Sequence, residues 1–285
     1  MNKGAVNKRL AILMATYNGE SYISEQIESI LSQTYLNWTL YVKDDLSMDS
    51  TLSIVRKYAA IDDRIVLLDS VDKCGAKGNF TSMMEAIDAD YYMFSDQDDV
   101  WLPNKVEKSI SALQELEAKY PNLPLIVHTD LKVVNESLST ICPSLWQMFR
   151  IEPSLLNTFD RLGGHCLVTG CTMAFNKKAK SVSLPMSDAA IMHDVWMALK
   201  VYKEKGIIEY ISDPTILYRQ HGHNTLGAKD FRYNYVLNKF KRLRGVIKEN
   251  ISYYRMLSAL SYGSPLKFLY YKIWYYFAYN RKQDK

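Results

Sequence analysis

Three carboxylates stand within four residues in the stretch Tyr91-Tyr92-Met93-Phe94-Ser95-Asp96-Gln97-Asp98-Asp99-Val100-Trp101-Leu102-Pro103. The apolar run before them has the length of a buried strand, so Asp96, Asp98 and Asp99 fall at a strand end. Like charges held so close repel one another and are costly to desolvate. A divalent cation resolves that conflict. Oxygen ligands suit Mg²⁺ or Mn²⁺, and Mg²⁺ is usually held by one or two carboxylates together with substrate phosphates. Taken alone, the same residues also read as a solvated turn leading into a helix, with Asp99 or Asn104 near its N-terminus. The other strand ends of the chain decide between the two.

The preceding elements alternate. Leu10–Ala15 reads as a buried first strand, stopped by Thr16-Tyr17-Asn18-Gly19-Glu20. Ile23, Ile27, Ile30 and Leu31 recur at helical spacing and predict a helix over Tyr22–Thr34, with Ser21 as its cap. Trp38–Val42 predicts a second strand ending in Lys43-Asp44-Asp45-Leu46-Ser47-Met48-Asp49-Ser50-Thr51. A helix over Thr51–Tyr58, a strand over Arg64–Leu68 and a helix over Asn79–Ala86 lead into the strand at Tyr91. This alternation predicts an α/β fold with a mostly parallel central sheet. Such sheets bind ligands outside the carboxyl ends of their strands. Three strand ends here carry polar, acidic or glycine-containing loops: Thr16–Glu20, Asp44–Asp49 and Asp96–Asp99. A metal-assisted site at one sheet edge explains all three together. No GxGxxG and no GxxxxGK[ST] occurs, which counts against dinucleotide and P-loop chemistry.

At 285 residues the chain is long enough for one large domain, or one domain with an appendage, and its 48% hydrophobic content supports a sizeable core. The net charge of +4 is unevenly spread: Lys229–Lys285 holds 13 basic against 3 acidic residues, and residues 1–228 hold 22 against 28. Cys74, Cys142, Cys166 and Cys171 lack metal-site spacing and read as small buried hydrophobes in a reducing compartment. Met1–Arg9 is polar, the run Leu10–Ala15 is too short for a secretory signal, and no stretch has 18 uninterrupted apolar residues. These features predict a cytoplasmic protein.

Ala15-Thr16-Tyr17-Asn18-Gly19, Ser32-Gln33-Thr34-Tyr35, Asp44-Asp45-Leu46-Ser47-Met48-Asp49-Ser50-Thr51 and Asp96-Gln97-Asp98-Asp99-Val100-Trp101 together resemble glycosyltransferase family 2 over roughly residues 10–227. The resemblance implies the GT-A nucleotide-sugar-binding fold. It implies that Thr16, Tyr17 and Asp45 hold the base and ribose of a dTDP- or UDP-sugar donor, with Asn18 and Asn79 also on the donor. An aromatic face stacks on a pyrimidine and a carboxylate accepts from its ring N–H, so the chemistry suits the residue types. The same resemblance makes Asp98 a ligand of Mn²⁺ or Mg²⁺, with Asp96 near the ribose or metal. His221 completes the metal shell, and Arg219 pairs with the diphosphate. Asp194, in Ile191-Met192-His193-Asp194-Val195-Trp196-Met197, becomes the general base. Gly170, Cys171 and Trp196 fall beside the acceptor. A carboxylate titrating at about 4 cannot deprotonate a sugar hydroxyl beforehand, so Asp194 must take the proton as the new bond forms. Each residue also has a structural reading. Tyr17 and Trp196 suit core packing, Asp45 and Asp194 suit helix or turn caps, and His221 suits an ordinary structural imidazole. The chain departs from the family at Leu46, where Asp-Asp-Gly-Ser is frequent.

Further along, Val106–Leu116 predicts an amphipathic helix and Leu125–Asp130 a strand. Ser137–Phe159 reads as an irregular aromatic segment, either an acceptor-facing insertion or a packed surface loop. Gly163–Phe175 reads as a strand broken by glycines, and Ile207–Ser212 as a strand closed by Pro214 and the loop Tyr218–Gly227. The expected organisation is a catalytic domain over 1–228, its donor half 10–102 and acceptor half 103–228, with a basic, aromatic helical tail over 229–285. Within the tail, Phe231–Tyr254 is helical in pattern, with Lys239, Lys241, Arg242, Arg244 and Lys248. Phe268–Tyr279 is aromatic and flanked by Lys267, Arg281 and Lys282. Aromatic and basic residues together favour an anionic membrane surface, so the tail predicts peripheral attachment to the inner membrane face, suiting a lipid-linked saccharide acceptor. A helix docked on the body or a dimer interface is the other reading. Nucleic acid is disfavoured, because no nucleic-acid motif accompanies the charge. The leading expectation is an inverting, metal-dependent transfer of L-rhamnose from dTDP-rhamnose in surface polysaccharide synthesis, with UDP-hexoses as second donors. A nucleotidyltransferase or a non-catalytic binding protein are the rival classes.

Overall fold

A computed structural model describes residues 8–166, 168–222 and 239–283. Its strands are β1 (Leu10–Thr16), β2 (Trp38–Asp44), β3 (Ile65–Leu68), β4 (Tyr91–Ser95), β5 (Val100–Trp101), β6 (Leu125–Val134), β7 (Thr140–Cys142), β8 (Met173–Asn176) and β9 (Ile207–Arg219). Its helices are α1 (Ile23–Leu31), α2 (Thr51–Ala59), α3 (Gly75–Ala86), α4 (Lys105–Lys119), α5 (Leu145–Phe149), α6 (Phe159–Gly164), α7 (Lys177–Ser183), α8 (His193–Lys203), α9 (Lys239–Ala259) and α10 (Pro265–Gln283). The described strands form one sheet in the order β3-β2-β1-β4-β8-β6-β9-β5, with β7 added on β6. β1 pairs in parallel with β2 and β4, β2 with β3, and β6 with β9. β8 runs antiparallel to both β4 and β6, so β1–β4, β6 and β9 all point the same way. The expected α/β, mostly parallel sheet is present.

Both faces of the sheet are covered, which is why its strands are apolar almost throughout. Successive residues of β1 divide between the faces. Ala11 and Leu13 join one core with Phe80, Phe94, Phe175, Met197 and Leu199, while Leu10, Ile12 and Met14 join a second with Ile27, Val42, Ile110 and Leu113. Thus α3, α6, α8 and the C-terminal helices cover one face, and α1, α2, α4 and α5 the other.

Several local expectations are corrected. α1 begins after Tyr22 with no side-chain cap, so Ser21 does not cap it. α3 begins at Gly75, not Asn79, so Lys77, Gly78 and Asn79 lie inside its first turns. Ser137–Phe159 is a folded segment carrying β7 and α5, and Trp146, Ile151 and Leu156 are buried. Gly163 and Gly164 end α6, and the only strand in Gly163–Phe175 among the described residues is the start of β8. β9 continues through Pro214 to Arg219, because its register with β6 slips at Asp130 and the proline sits at that irregularity. Tyr218 and Arg219 are therefore strand residues, and His223–Gly227 lie outside the described residues.

The first part of the predicted tail helix, Phe231–Asn238, also lies outside the described residues, as do the side chains of Lys239, Lys241, Arg242 and Arg244. α9 and α10 do not stand apart from the body: Met256, Leu257, Leu260, Tyr262, Phe268 and Tyr275 share the core of the α3–α8 face. The Gly163-Gly164 pair is explained here. A Cβ on Gly163 would lie 2.2 Å from the Tyr262 ring, and one on Gly164 2.6 Å from Tyr271 Cβ. Leu266, Leu269, Tyr270, Ile273, Tyr276 and Phe277 form the exposed side of α10. Among the described residues no helix is long and apolar enough to cross a membrane.

Candidate active site

Parallel pairing aligns Thr16 with Asp44 and Met14 with Ser95, so the loops after β1, β2 and β4 meet at one edge of the sheet. The first two are laced together. Thr16 is buried and its hydroxyl donates to Asp44 Oδ1 at 2.9 Å, while Asp44 also accepts from the Ser47 amide at 2.7 Å and the Ser47 hydroxyl at 2.6 Å. That side chain holds the β2 loop. Leu46, where the family often has glycine, takes a left-handed backbone at φ 59° inside this turn. Asn18, itself left-handed at φ 46°, donates its amide to Ser47 Oγ at 2.8 Å and accepts the Met48 amide at 3.0 Å.

Asp45 lies at the N-terminus of α3. Its Oδ1 accepts from the Cys74 amide at 2.8 Å, the Gly75 amide at 3.1 Å and Asn79 Nδ2 at 3.0 Å. Helix-terminal amides favour a carboxylate, so α3 presents Asp45 in one orientation. Asn79 is buried, and its side-chain amide helps to orient Asp45. The Tyr17 ring stays exposed beside this group, with Lys73 Nζ 4.0 Å from its centroid and donating to its hydroxyl at 2.7 Å.

The third loop carries the chain from β4 to β5, which pairs antiparallel with the end of β9. That pairing delivers His221, whose Nε2 lies 2.7 Å from Asp98 Oδ2. Arg219 is buried. It donates Nε to the Asp98 carbonyl at 2.9 Å, its amide to Asp99 Oδ1 at 3.2 Å, and guanidinium groups to the Glu136 carbonyl and the Glu25 carboxylate. These bonds tie the acidic loop to Glu136 and Glu25. Sequence reading missed Tyr22, Glu25 and Glu136 in this role. The Tyr22 ring packs 4.6 Å from the His221 ring and 4.7 Å from the Arg219 guanidinium.

Beneath the loop, Asp96, Asp99 and Cys171 place their ligating atoms within 4.8 Å of one another. Burial, reinforced by Asp98 and Asp194, pushes Asp96 up to about 7, and burial raises Asp99 well above the carboxylate range. The Cys171 thiol is pushed far up by burial and stays protonated, and the amine of buried Lys105, lowered by burial to about 8, shares this interior. A thiol that keeps its proton, with an amine nearby, does not suit a hard divalent ion. At Asp98 the carboxylate suits Mn²⁺ or Mg²⁺, and the His221 imidazole beside it suits Mn²⁺ better than Mg²⁺, with Asp96 adjoining. Cys171 is 1% exposed.

Asp194 opens α8 opposite this loop. Its Oδ2 accepts from the Gly170 amide at 2.9 Å and its Oδ1 from the Val195 amide at 2.7 Å. A Cβ on Gly170 would lie 3.1 Å from His193 Nε2 and 3.2 Å from Asp194 Oδ2, so glycine there lets the carboxylate come close. His193 is buried, stacked at 4.2 Å on Phe80, and burial lowers its pKa. Trp196 is buried and donates its indole N–H to the Ser183 carbonyl at 2.9 Å. A cavity of about 230 Å³, lined by His128, Leu156, Tyr202 and Tyr210 among others, shares no residue with this site.

Comparison with known proteins gives a consistent assignment. The family model described as Glycosyl transferase family 2 matches residues 11–181. The dTDP-rhamnosyl transferase RfbG of Shigella flexneri is 31% identical over 248 residues, 80% of this chain and 81% of its own. The UDP-Glc:alpha-D-GlcNAc-diphosphoundecaprenol beta-1,3-glucosyltransferase WfgD of Escherichia coli is 37% identical over 161 residues, 53% of this chain and 63% of its own. Among solved structures, S. aureus TarS 1-349 in complex with UDP-GlcNAc shares the fold with a TM-score of 0.55 at 18% identity, covering 84% of this chain and 66% of that one. The mannosyltransferase PcManGT from Pyrobaculum calidifontis, solved with GDP-Man and Mn²⁺, does so with a TM-score of 0.59 at 15% identity, covering 76% and 58%. With the strand-end loops in place and the family matched over more than half its length, the chain belongs to glycosyltransferase family 2 and is a glycosyltransferase of the GT-A fold that transfers a sugar from a nucleotide-sugar donor.

Proposed function

We propose that this enzyme transfers L-rhamnose from dTDP-rhamnose, with inversion and with a divalent cation, to a saccharide acceptor in surface polysaccharide synthesis. Similarity to RfbG over four fifths of both chains supports the donor, and the Asp98–His221 pair beside Asp194 supports the chemistry. Residues 1–228 form the catalytic unit in this reading, with 10–102 the donor half and 103–228 the acceptor half.

Tyr17 offers an exposed ring to the base, and Asp45 Oδ2, less heavily bonded than Oδ1, accepts from the base N–H. Asp98 and His221, with Asp96 adjoining, hold Mn²⁺ or Mg²⁺; when bound, the cation supplies charge that offsets the developing charge on the leaving diphosphate. The acceptor oxygen forms its bond to the anomeric carbon as the bond to the diphosphate oxygen breaks, and the hydroxyl proton passes to Asp194. Two backbone amides hold that carboxylate in place, so positioning does the work that basicity cannot. A UDP-hexose donor is the second reading, favoured by the likeness to WfgD, whose name also specifies a diphosphoundecaprenol-linked acceptor. The exposed apolar side of α10, with Lys267, Arg281 and Lys282 on the same helix, supports peripheral contact with the inner membrane face, where such an acceptor resides.

A screen of dTDP-rhamnose, UDP-glucose and UDP-galactose, with and without Mn²⁺, tests the reading by donor hydrolysis or transfer. Turnover of dTDP-rhamnose above the others is expected. Turnover confined to UDP-hexoses moves the assignment to the second reading, and the absence of any turnover overturns both. Equal binding of anionic liposomes by the native chain and by a variant with Leu269, Ile273 and Phe277 each changed to Ser, all exposed on α10, would remove the membrane role.

A further inference from the structure

The middle residue of Asp96-Gln97-Asp98 closes a two-bond ring on the loop after β1. Gln97 Oε1 accepts from the Tyr17 amide at 2.9 Å, and Gln97 Nε2 donates to the Tyr17 carbonyl at 2.9 Å. A side chain thus imitates one rung of a β-ladder across 80 residues of sequence. Gly19 makes room for it. A Cβ there would lie 2.3 Å from Gln97 Oε1, 2.5 Å from its Cδ and 3.0 Å from its Nε2, and the Gly19 backbone is not left-handed. Space for this amide, rather than backbone conformation, is what residue 19 supplies.

Gln97 joins two surfaces. Its own bonds grip Tyr17, whose ring is exposed beside Asp45, and the next residue, Asp98, faces His221. We propose that Gln97 is a positioning residue that latches the Tyr17 loop to the Asp98 loop, so that base recognition and diphosphate recognition occur on one rigid unit. This rests on the nucleotide-sugar reading above. A loop held by two hydrogen bonds is ordered before the ligand arrives, and binding then does not bear the ordering cost.

The test is calorimetric titration of UDP, dTDP and inorganic pyrophosphate, each with Mn²⁺, on the full chain and on Gln97→Ala, Gly19→Ala and the double variant. Loss of two partly exposed hydrogen bonds is expected to weaken nucleotide binding about tenfold in each single variant. The double variant is expected to bind no more weakly than Gln97→Ala, because the added methyl then occupies emptied space. Pyrophosphate has no base, and its affinity is expected to stay within about twofold throughout. Gln97→Glu keeps the acceptor for the Tyr17 amide but turns an oxygen toward the Tyr17 carbonyl, and is expected to bind nucleotides at least as weakly as Gln97→Ala. That variant decides the matter if Gly19→Ala does not fold. Nucleotide affinity unchanged in Gln97→Ala or Gln97→Glu, additive losses in the double variant, or equal losses for pyrophosphate overturn the latch. A native chain that binds neither nucleotide overturns the functional reading, and the latch with it.

Discussion

His221 Nε2 and Asp98 Oδ2 lie 2.7 Å apart although 123 residues separate them in the chain. The bond exists because β9 runs on past Pro214 and pairs with β5, bringing the end of one strand against the loop that begins at the end of β4. Replacing His221 by Ala is expected to lower Mn²⁺ affinity by about tenfold or more, and Asp98→Ala by more again. Counting free Mn²⁺ by its electron paramagnetic resonance signal checks this without any substrate, and wild-type affinity in both variants would dismiss the pair as the metal holder.

Asp194→Asn keeps the shape of the site but removes the proton acceptor. Transfer is expected to fall by about 10²–10⁴-fold with donor affinity unchanged. Gly170→Ala forces its methyl to within 3.1–3.2 Å of His193 and Asp194. It is expected to lower kcat several-fold while leaving donor KM in place. A rise in donor KM in either variant would place Asp194 in donor binding instead.

Leu46 holds a left-handed backbone at φ 59°, which a branched side chain adopts only at a cost of about 1 kcal/mol. The side chain is 43% exposed, so little packing is lost on changing it. Leu46→Asn is expected to raise stability by about 0.5–1 kcal/mol, since Asn tolerates this conformation. Urea unfolding at neutral pH measures it, and a destabilised variant would mean that Leu46 packs against the site more tightly than its exposure indicates.

Burial pushes His128 down to about 4. The unfolded chain titrates near 6.5, so as pH falls the unfolded state takes up its proton first. The stability that His128 contributes is therefore complete above about 6.5, declines as pH falls toward 4 and is lost below it. The decline between pH 7 and pH 5 amounts to about 2 kcal/mol. His165, also lowered to about 4, and His193, also lowered, add slopes of the same sign. His128→Phe is expected to remove one proton's share of this dependence in urea melts at the two pH values. An unchanged slope would show that His128 is not the titrating group.

The exposed and the buried parts of the site were legible to different degrees. Alternating strands and helices, and acidic loops at successive strand ends, follow from local periodicity, and so the α/β class and the loops that carry Tyr17, Asp45 and Asp98 could be read from the chain, while Asp194 was reached through the family resemblance. The family resemblance supplied their expected roles. Side-chain partners follow a different rule. Thr16 is bound to Asp44, Asn79 to Asp45, and Arg219 to Glu25 and the Asp98 backbone, each across a gap that periodicity does not measure. The family resemblance places all three on the ligand. A polar residue near a site has the same composition whether it faces substrate or supports a neighbour, and the partner of each side chain is set only by the folded arrangement.

The glycines make the same point. Gly163, Gly164 and Gly170 looked like breaks in a strand or openings for a sugar, yet each accommodates a protein side chain from elsewhere in the chain. Sequence by itself determined where the sheet presents its chemistry, because hydrophobic period and turn residues act over a few neighbours. Tertiary structure alone decided which residues face that edge and which brace it, because Gln97 meets Tyr17, and His221 meets Asp98, only once the sheet has brought their strands together.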